Sequence, residues 1–410
     1  MSNQLTDKVL LRHGAVLNNR MVMSPMQTHS GKRGGFVSDD TLRYYNARSK
    51  AAGLLITEFH YVSPTGGPAY VPGYPEQLGA YSDAHLDGLR QVAQALKKDG
   101  NKAILQIHHA GRAAIGQAVS GQDVLAPSQV DFSFLNYPIR ELRSDEIAAI
   151  IKDFGAATRR AIKAGFDGVE IHGANHYLIQ QFFSKLSNFR TDKWGGSLEK
   201  RMAFPLAVVT EVMDVVAKEA PQDFIVGYRI SPEEIHGGAI GYTYKEAVQL
   251  IAAVVKYQLD YIHLSLWDGY ASRPQGLDKT YAELFREVLD DETKLMLVGG
   301  VFGEEAARDA VENYGDLIAV GRGTLVDPLF AEKVMLGQGD TILSEVSPET
   351  LDYIKWTPGL FEAFSRQDSL GLPKIPGAES LYHLHTGRFD MYAKTEEANI
   401  TRGHLGVTDE

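Results

Sequence analysis

At 410 residues, with 44% hydrophobic, 23% charged and 10% aromatic side chains, the chain can form one elaborated domain or two or three ordinary ones, and its composition excludes disorder, collagen and coiled coil as descriptions of the whole. Its 41 basic and 52 acidic residues give a formal charge of −11, which argues against nucleic acid as the main partner, because a phosphate backbone calls for a clustered basic face. The absence of cysteine rules out a disulfide framework, a thiol nucleophile and any cysteine-ligated iron–sulfur or zinc centre.

Residues 1–17 lack the basic start and apolar core of a secretory signal, and no apolar run approaches the ~20 residues that cross a bilayer. The expectation is a soluble, cytoplasmic protein with no membrane partner. In chain order the candidate strands are Val22–Met26, Leu54–Tyr61, Ala103–His108, Gly168–His172, Phe224–Ile230, Tyr261–Leu266, Leu295–Gly299 and Leu317–Val320. Most are unbroken Val/Ile/Leu-rich runs, as strands buried on both faces of a parallel sheet require.

Helical periods lie between them. From Ser144 to Gly165 the stripe is Ile147, Ile150, Ile151 and Phe154, with Asp145 and Glu146 in the first turn. Thr243 and Glu246 form a capping box ahead of Ala247, Leu250, Ile251 and Val254. Gly303–Tyr314 and Thr324–Leu336 read as two shorter helices. Eight strand–helix units point to an α/β fold, a (β/α)8 TIM barrel over residues 1–338. A doubly wound sheet is the competitor, but no G-x-G-x-x-G follows the first strand. Two long inserts, Ala114 to Tyr137 and Ser184 to Ser197, suggest function or disorder. The C-terminal extension, residues 339–410, belongs to no barrel unit. Its Trp356, Phe361, Phe364, Tyr382 and Tyr392 are too much aromatic surface for a solvated linker, so it should pack on the barrel or on a partner subunit, which leaves a homo-oligomer open.

A barrel of this kind gathers its chemistry at the carboxyl ends of the strands. The first strand ends Ser24-Pro25-Met26-Gln27, either a ligand contact or a simple strand stop. The third presents Gln106, whose amide offers a donor and an acceptor. His108 and His109 face opposite ways as strand neighbours, so the pair is no chelate, and no metal is expected. The fourth ends in His172, Asn175 and Tyr177: two donors for a carbonyl or anion and one phenolic acid, against the plainer reading of a capped turn with a packed Tyr. The fifth presents Arg229, which needs an anionic partner, an external one or an internal Glu58 or Glu170. The seventh and eighth end in Gly299-Gly300 and Gly321-Arg322, where a barrel builds a phosphate site, or where the glycines serve only tight turns. A phosphorylated, amide-rich, partly anionic ring meets these demands, and FMN is such a ligand.

The stretches 164–183 and 187–201, Met23-Ser-Pro-Met26, Gln106, His109-Ala-Gly-Arg112, Arg229 and Val320-Gly-Arg-Gly323 resemble the Old Yellow Enzyme family of FMN-dependent NAD(P)H oxidoreductases, over residues 8 to 338. The resemblance implies non-covalent FMN, with NADH or NADPH as hydride donor. It makes Ser24, Pro25, Met26, Gln27, Gln106, Arg229, Gly299, Gly300, Gly321 and Arg322 the cofactor-binding positions. His172 and Asn175 would hold the substrate carbonyl, and Tyr177 would protonate its α-carbon after hydride reaches the β-carbon. The implied substrate is a small electrophilic alkene, an α,β-unsaturated carbonyl compound.

The chain departs from the family at several positions. Gln27 stands where Thr or Cys is usual, and His29 stands where one bacterial branch places a substrate-contacting Tyr. Phe59 replaces a small residue and Trp194 a Tyr. Two other functions stay open: a flavin or quinone-type reductase with a non-alkene acceptor, and a non-catalytic FMN-binding barrel.

Overall fold

The structure, a computed structural model that describes residues 3–70, 75–369 and 372–389, closes the eight apolar runs into one parallel barrel. A short antiparallel hairpin comes first, β1 (Val9–Leu10) with β2 (Val16–Leu17). The barrel then takes β3 (Met21–Met23), β4 (Leu54–Tyr61) and β5 (Lys102–His108). Outside it, β6 (Val124–Ala126) pairs with β7 (Ile139–Glu141). The wall continues with β8 (Gly168–Gly173) and β9 (Ile225–Ile230), after which β10 (Glu234–His236) and β11 (Ala239–Tyr242) form a second hairpin. Strands β12 (Tyr261–Ser265), β13 (Lys294–Val298) and β14 (Leu317–Val320) complete the wall, and Val320 opposite Met23 closes it.

Inside, Val22, Leu54, Ile56, Ile104, Ile225, Tyr261, Met296, Leu317 and Ala319 fill the barrel, joined by Val9, Leu11, Ala15 and Leu17 of the first hairpin. That hairpin stoppers the amino-terminal end, so only the opposite end can hold a ligand. A larger apolar cluster lies between strands and outer helices, among them residues 86–97, 144–164 and 198–219.

Several strand ends differ from expectation by one residue, and two boundaries differ by more, both because of proline. The first strand stops at Met23 rather than Met26: Ser24 N still donates to Val320 O at 3.1 Å, but Pro25 has no N–H to offer. The helix expected over Thr324–Leu336 is two, Arg322–Val326 and Phe330–Met335. Asp327, ahead of Pro328, is extended (φ −126°, ψ 105°), and its carboxylate accepts from Leu329 N at 3.0 Å and Lys333 Nζ at 2.6 Å.

The long inserts fold onto each other. Arg190 donates to Pro127 O (2.9 Å) and Leu142 O (2.7 Å), and Phe189 N donates to Ser128 Oγ at 2.9 Å. Beyond the barrel, the chain returns across its mouth. Trp356 Nε1 donates to Leu325 O at 2.9 Å, buried Arg48 donates to Thr324 O, Leu325 O and Ile354 O, and Thr357 Oγ1 donates to Thr28 O. Trp356 and Phe364 are buried there, Phe361 and Tyr382 half-buried, and Tyr392 lies outside the described residues. Among the described residues no helix is long and apolar enough to cross a membrane.

Candidate active site

The carboxyl ends of the strands enclose a cavity of about 270 Å³. Ser24, Pro25, Met26, Gln27 and His29 line it from the segment after β3. His172, Asn175 and Tyr177 come from β8 and its loop, and Arg229 from β9. Gly299 and Gly300 follow β13, and Gly321 and Arg322 follow β14. Gln106 is the exception among the residues picked out by sequence. It is buried in the wall, its Nε2 donating to Glu170 Oε1 at 2.6 Å, and it does not line the cavity.

The loop after β8 is shaped by two consecutive non-glycine residues in the left-handed region, Asn175 (φ 56°) and His176 (φ 60°). Each costs of order 1 kcal/mol, a strain that the surrounding contacts must hold. The result brings Asn175 and Tyr177 to the cavity while His176 stays off it. Within the cavity the polar groups are oriented in series. Arg229 Nη2 donates to Ser265 Oγ at 3.1 Å, and Ser265 Oγ donates to Asn175 Oδ1 at 2.8 Å, which leaves the amide NH₂ as the donor Asn175 can offer. Ala174 N donates to His172 Nδ1 at 3.3 Å, so the neutral imidazole carries its proton on Nε2. Phe59 packs 5.2 Å from Tyr177 and 5.9 Å from His172, centroid to centroid.

Burial sets the electrostatics. It pushes the Tyr177 phenol above its ordinary range, against the pull of Arg229. It takes His29 down to about 3, so that ring is neutral. Glu170 also suffers burial, but His263 Nδ1 at 2.9 Å, Arg229 and Gln106 outweigh it and hold the carboxyl below its usual range. Glu58, burdened by burial, rises to about 7 although Thr28 donates to it through N (3.1 Å) and Oγ1 (2.6 Å). The internal partners offered for Arg229 are therefore mostly engaged elsewhere: Glu58 binds Thr28, and Glu170 bonds Gln106 and His263 while acting on Arg229 through its charge alone.

Among the described residues, the buried polar atoms at and behind this cavity without a hydrogen-bond partner include the donors Arg229 Nε and Gln27 Nε2 and the acceptor Gln106 Oε1. Such groups are costly unless a ligand meets them. Gly299 (φ 130°) and Gly300 (φ 76°) expose backbone at the end of β13, and half-buried Arg322 sits 5.1 Å over the Phe302 ring. Donors, an acceptor and a cation beside a glycine turn fit a flavin mononucleotide.

The sequence profile described as the NADH:flavin oxidoreductase / NADH oxidase family matches residues 12–340. The chain belongs to that family. A probable NADH-dependent flavin oxidoreductase of Bacillus subtilis is 41% identical over 336 residues, 82% of this chain and 88% of that protein. An NADH:acrylate oxidoreductase of Vibrio harveyi is 39% identical over 81% of this chain, which spans only 33% of that protein. Among solved structures, morphinone reductase in complex with tetrahydroNAD superposes with a TM-score of 0.71 at 28% identity, over 87% of this chain and 96% of that one. The Old Yellow Enzyme likeness read from the sequence holds, and the chain is an FMN-dependent oxidoreductase using NADH or NADPH.

The sequence did not single out Ser265, Trp267, Phe302, Tyr70, Leu372 or Pro373, and it marked Phe364 only as a packing aromatic, yet all of them line the cavity. Position at the end of the sixth strand could have flagged Ser265. Phe364, Leu372 and Pro373 arrive from the extension, and nothing local announces it.

Proposed function

We propose that this NADH:flavin oxidoreductase family member reduces the activated C=C bond of α,β-unsaturated carbonyl compounds. The observation that carries this reading is the convergence on one cavity of two fixed donors and a protonated phenol. FMN, when bound, would supply the hydride-transfer chemistry that links NADH or NADPH to the alkene. His172 Nε2–H and the Asn175 NH₂ would hold the substrate oxygen, stabilising the negative charge that grows there, an effect worth ~3 kcal/mol per preorganised donor. Tyr177 keeps its proton on Oη at neutral pH because burial raises its pKa, and it would release that proton to the α-carbon. The apolar walls, Phe59 among them, keep water from the developing charge. Gly299, Gly300, Gly321 and Arg322 would hold the phosphate of non-covalent FMN, and Arg229, Gln27 and Ser24 to Met26 would hold its ring. On this reading residues 1–338 are the catalytic barrel and 339–410 a C-terminal extension, of which Phe364, Leu372 and Pro373 help line the mouth.

A second reading, an NADH dehydrogenase feeding a non-alkene acceptor, is favoured by the third of its length over which the acrylate oxidoreductase matches this chain, since the named activity there belongs to a much longer protein. Single-turnover kinetics of Tyr177→Phe separate the two. Reduction by NADH should stay within a few-fold of wild type, while oxidation by cyclohexenone slows more than ~100-fold, the scale of a lost general acid. Wild-type protein that NADH bleaches but cyclohexenone does not re-oxidise would select the second reading. Equal slowing of both half-reactions in the variant would remove Tyr177 from the mechanism.

A further inference from the structure

Beside the cavity, on the other side of the loop after β8, three side chains converge that the oxidoreductase chemistry leaves unused. His176, Glu234 and His236 each offer one ligand-type atom, and these atoms all lie within 4.8 Å of one another. His176 Nδ1 is 3.7 Å from Glu234 Oε2, and His236 Nε2 is 3.8 Å from Glu234 Oε1. Those separations are long for hydrogen bonds, and His176 Nδ1 instead meets Gln180 Nε2 at 3.3 Å, a contact an ion on Nδ1 would replace. In a tetrahedron of ~2.1 Å bonds the ligand atoms stand about 3.4 Å apart, so each imidazole is near that spacing from one Glu234 oxygen, and separations of up to 4.8 Å must close for a single oxygen to serve both.

The scaffold holds these groups as a metal site requires. Glu234 and His236 flank solvent-facing Ile235 on β10, where the register shifts between Glu234 and Ile235, and their ligand-type atoms come together on one side of the hairpin. The Glu234 carboxylate is oriented by two further donors, Gln180 Nε2 at 2.8 Å and Ser184 Oγ at 2.9 Å, and Gln180 Oε1 in turn accepts from His176 N at 3.0 Å. Metal-ligating carboxylates are held by such outer partners. The two imidazole rings lie with centroids 5.2 Å apart, tilted by 37°. His176 takes up a left-handed φ of 60° without lining the cavity, so contact with a substrate does not account for its strained backbone.

We propose that His176, Glu234 and His236 bind one divalent transition-metal ion, with zinc as the ion best matched to two imidazoles and a carboxylate. The ion would be a clamp, tying the loop after β8 to the β10–β11 hairpin, with water completing its shell. Because His176 stands between Asn175 and Tyr177, the clamp also steadies the two residues on either side of it. Buried Arg112 acts on the Glu234 charge and opposes a cation, so the site is weaker than a four-ligand structural zinc centre.

Tag-free holoenzyme, treated with chelator and dialysed, is titrated with zinc chloride in a calorimeter, and its zinc is then counted by elemental analysis. Wild type should take up one ion per chain. Affinity should fall ~10-fold or more in Glu234→Gln and in His236→Ala. Glu234 is buried and its variant could misfold; His236 is half-exposed, so its variant, with FMN absorbance confirming the fold, carries the test alone. No saturable binding by wild type, or undiminished binding by His236→Ala, overturns the proposal.

Discussion

Ser265 acts by position alone. It accepts from Arg229 and donates to Asn175, so on the reading proposed it would decide which end of the Asn175 amide meets a substrate oxygen. Ser265→Ala removes that instruction while leaving every donor in place. One orienting hydrogen bond is worth ~1 kcal/mol, so enone turnover should fall roughly fivefold with KM raised, and reduction by NADH should change little. Steady-state kinetics with cyclohexenone, set against stopped-flow reduction by NADH, checks this; equal loss in both would mean that Ser265 serves flavin binding instead. A serine at a strand end has no spacing or charge to distinguish it, which is why sequence reading passed it over while finding His172, Asn175 and Tyr177 together in six positions. Glu58 makes a different prediction. Its folded pKa of about 7 lies above the ordinary ~4.3 for glutamate, so its contribution to stability is complete below pH ~4 and is lost as pH rises through 7. Glu58→Gln keeps the neutral form at every pH. Denaturant unfolding should show wild type losing on the order of 3 kcal/mol more than the variant between pH 4 and pH 8. Parallel pH profiles would mean that Glu58 ionises in the fold at its ordinary pKa.

The turns after β13 and β14 carry the cofactor's charged end on the reading proposed. Arg322 opens the second of them, half-buried, donating through Nη1 to Lys374 O at 2.9 Å. Arg322→Glu should release FMN on extensive dialysis through charge reversal beside a dianion, and Arg322→Lys should retain most of it. Unchanged flavin absorbance in the Glu variant would move the phosphate elsewhere. The barrel strands were legible because a strand covered on both faces must be apolar throughout, and Leu54–Tyr61 was placed to the residue. The helix after β14 was misread because Leu325, Phe330 and Val334 keep an apolar spacing across Pro328, although the residue before a proline seldom stays helical. The β10–β11 hairpin had a signal that went unused: alternation at Glu234-Ile235-His236, then Gly237-Gly238, a two-residue turn whose first glycine has φ 56°. Missing that hairpin hid the His236 side of the metal cluster.

The extension decides whether the barrel is a folding unit by itself. Its aromatic content announced burial, but the surface it covers is set by groups scattered through the chain: the carbonyls of Thr324 and Leu325, the buried Arg48, and Thr28 in the segment after β3. No local pattern links those positions. Gly359 shows how close the fit is, for a Cβ there would lie 2.1 Å from His29 O. Trp356, Leu360, Phe364, Ile375 and Leu381 are all buried by the docking. At roughly 2 kcal/mol each they amount to roughly 10 kcal/mol, as much as the whole margin of an ordinary fold. A chain ending at Leu343 would keep the Leu343 N–H on Asp327 but strip Arg48 of its Ile354 carbonyl and open the cavity where Phe364, Leu372 and Pro373 stand. Such a chain should aggregate or melt far below wild type and hold little FMN. Trp356→Ala is the gentler probe: a large aromatic truncated to alanine costs ~3–5 kcal/mol, and loss of its Nε1 donor leaves Leu325 O to Arg48 alone. Its Tm should fall by several degrees while the barrel still folds. Flavin content and Tm, measured on both variants, test the same point, because a barrel that folds independently would lose neither when the extension is cut away.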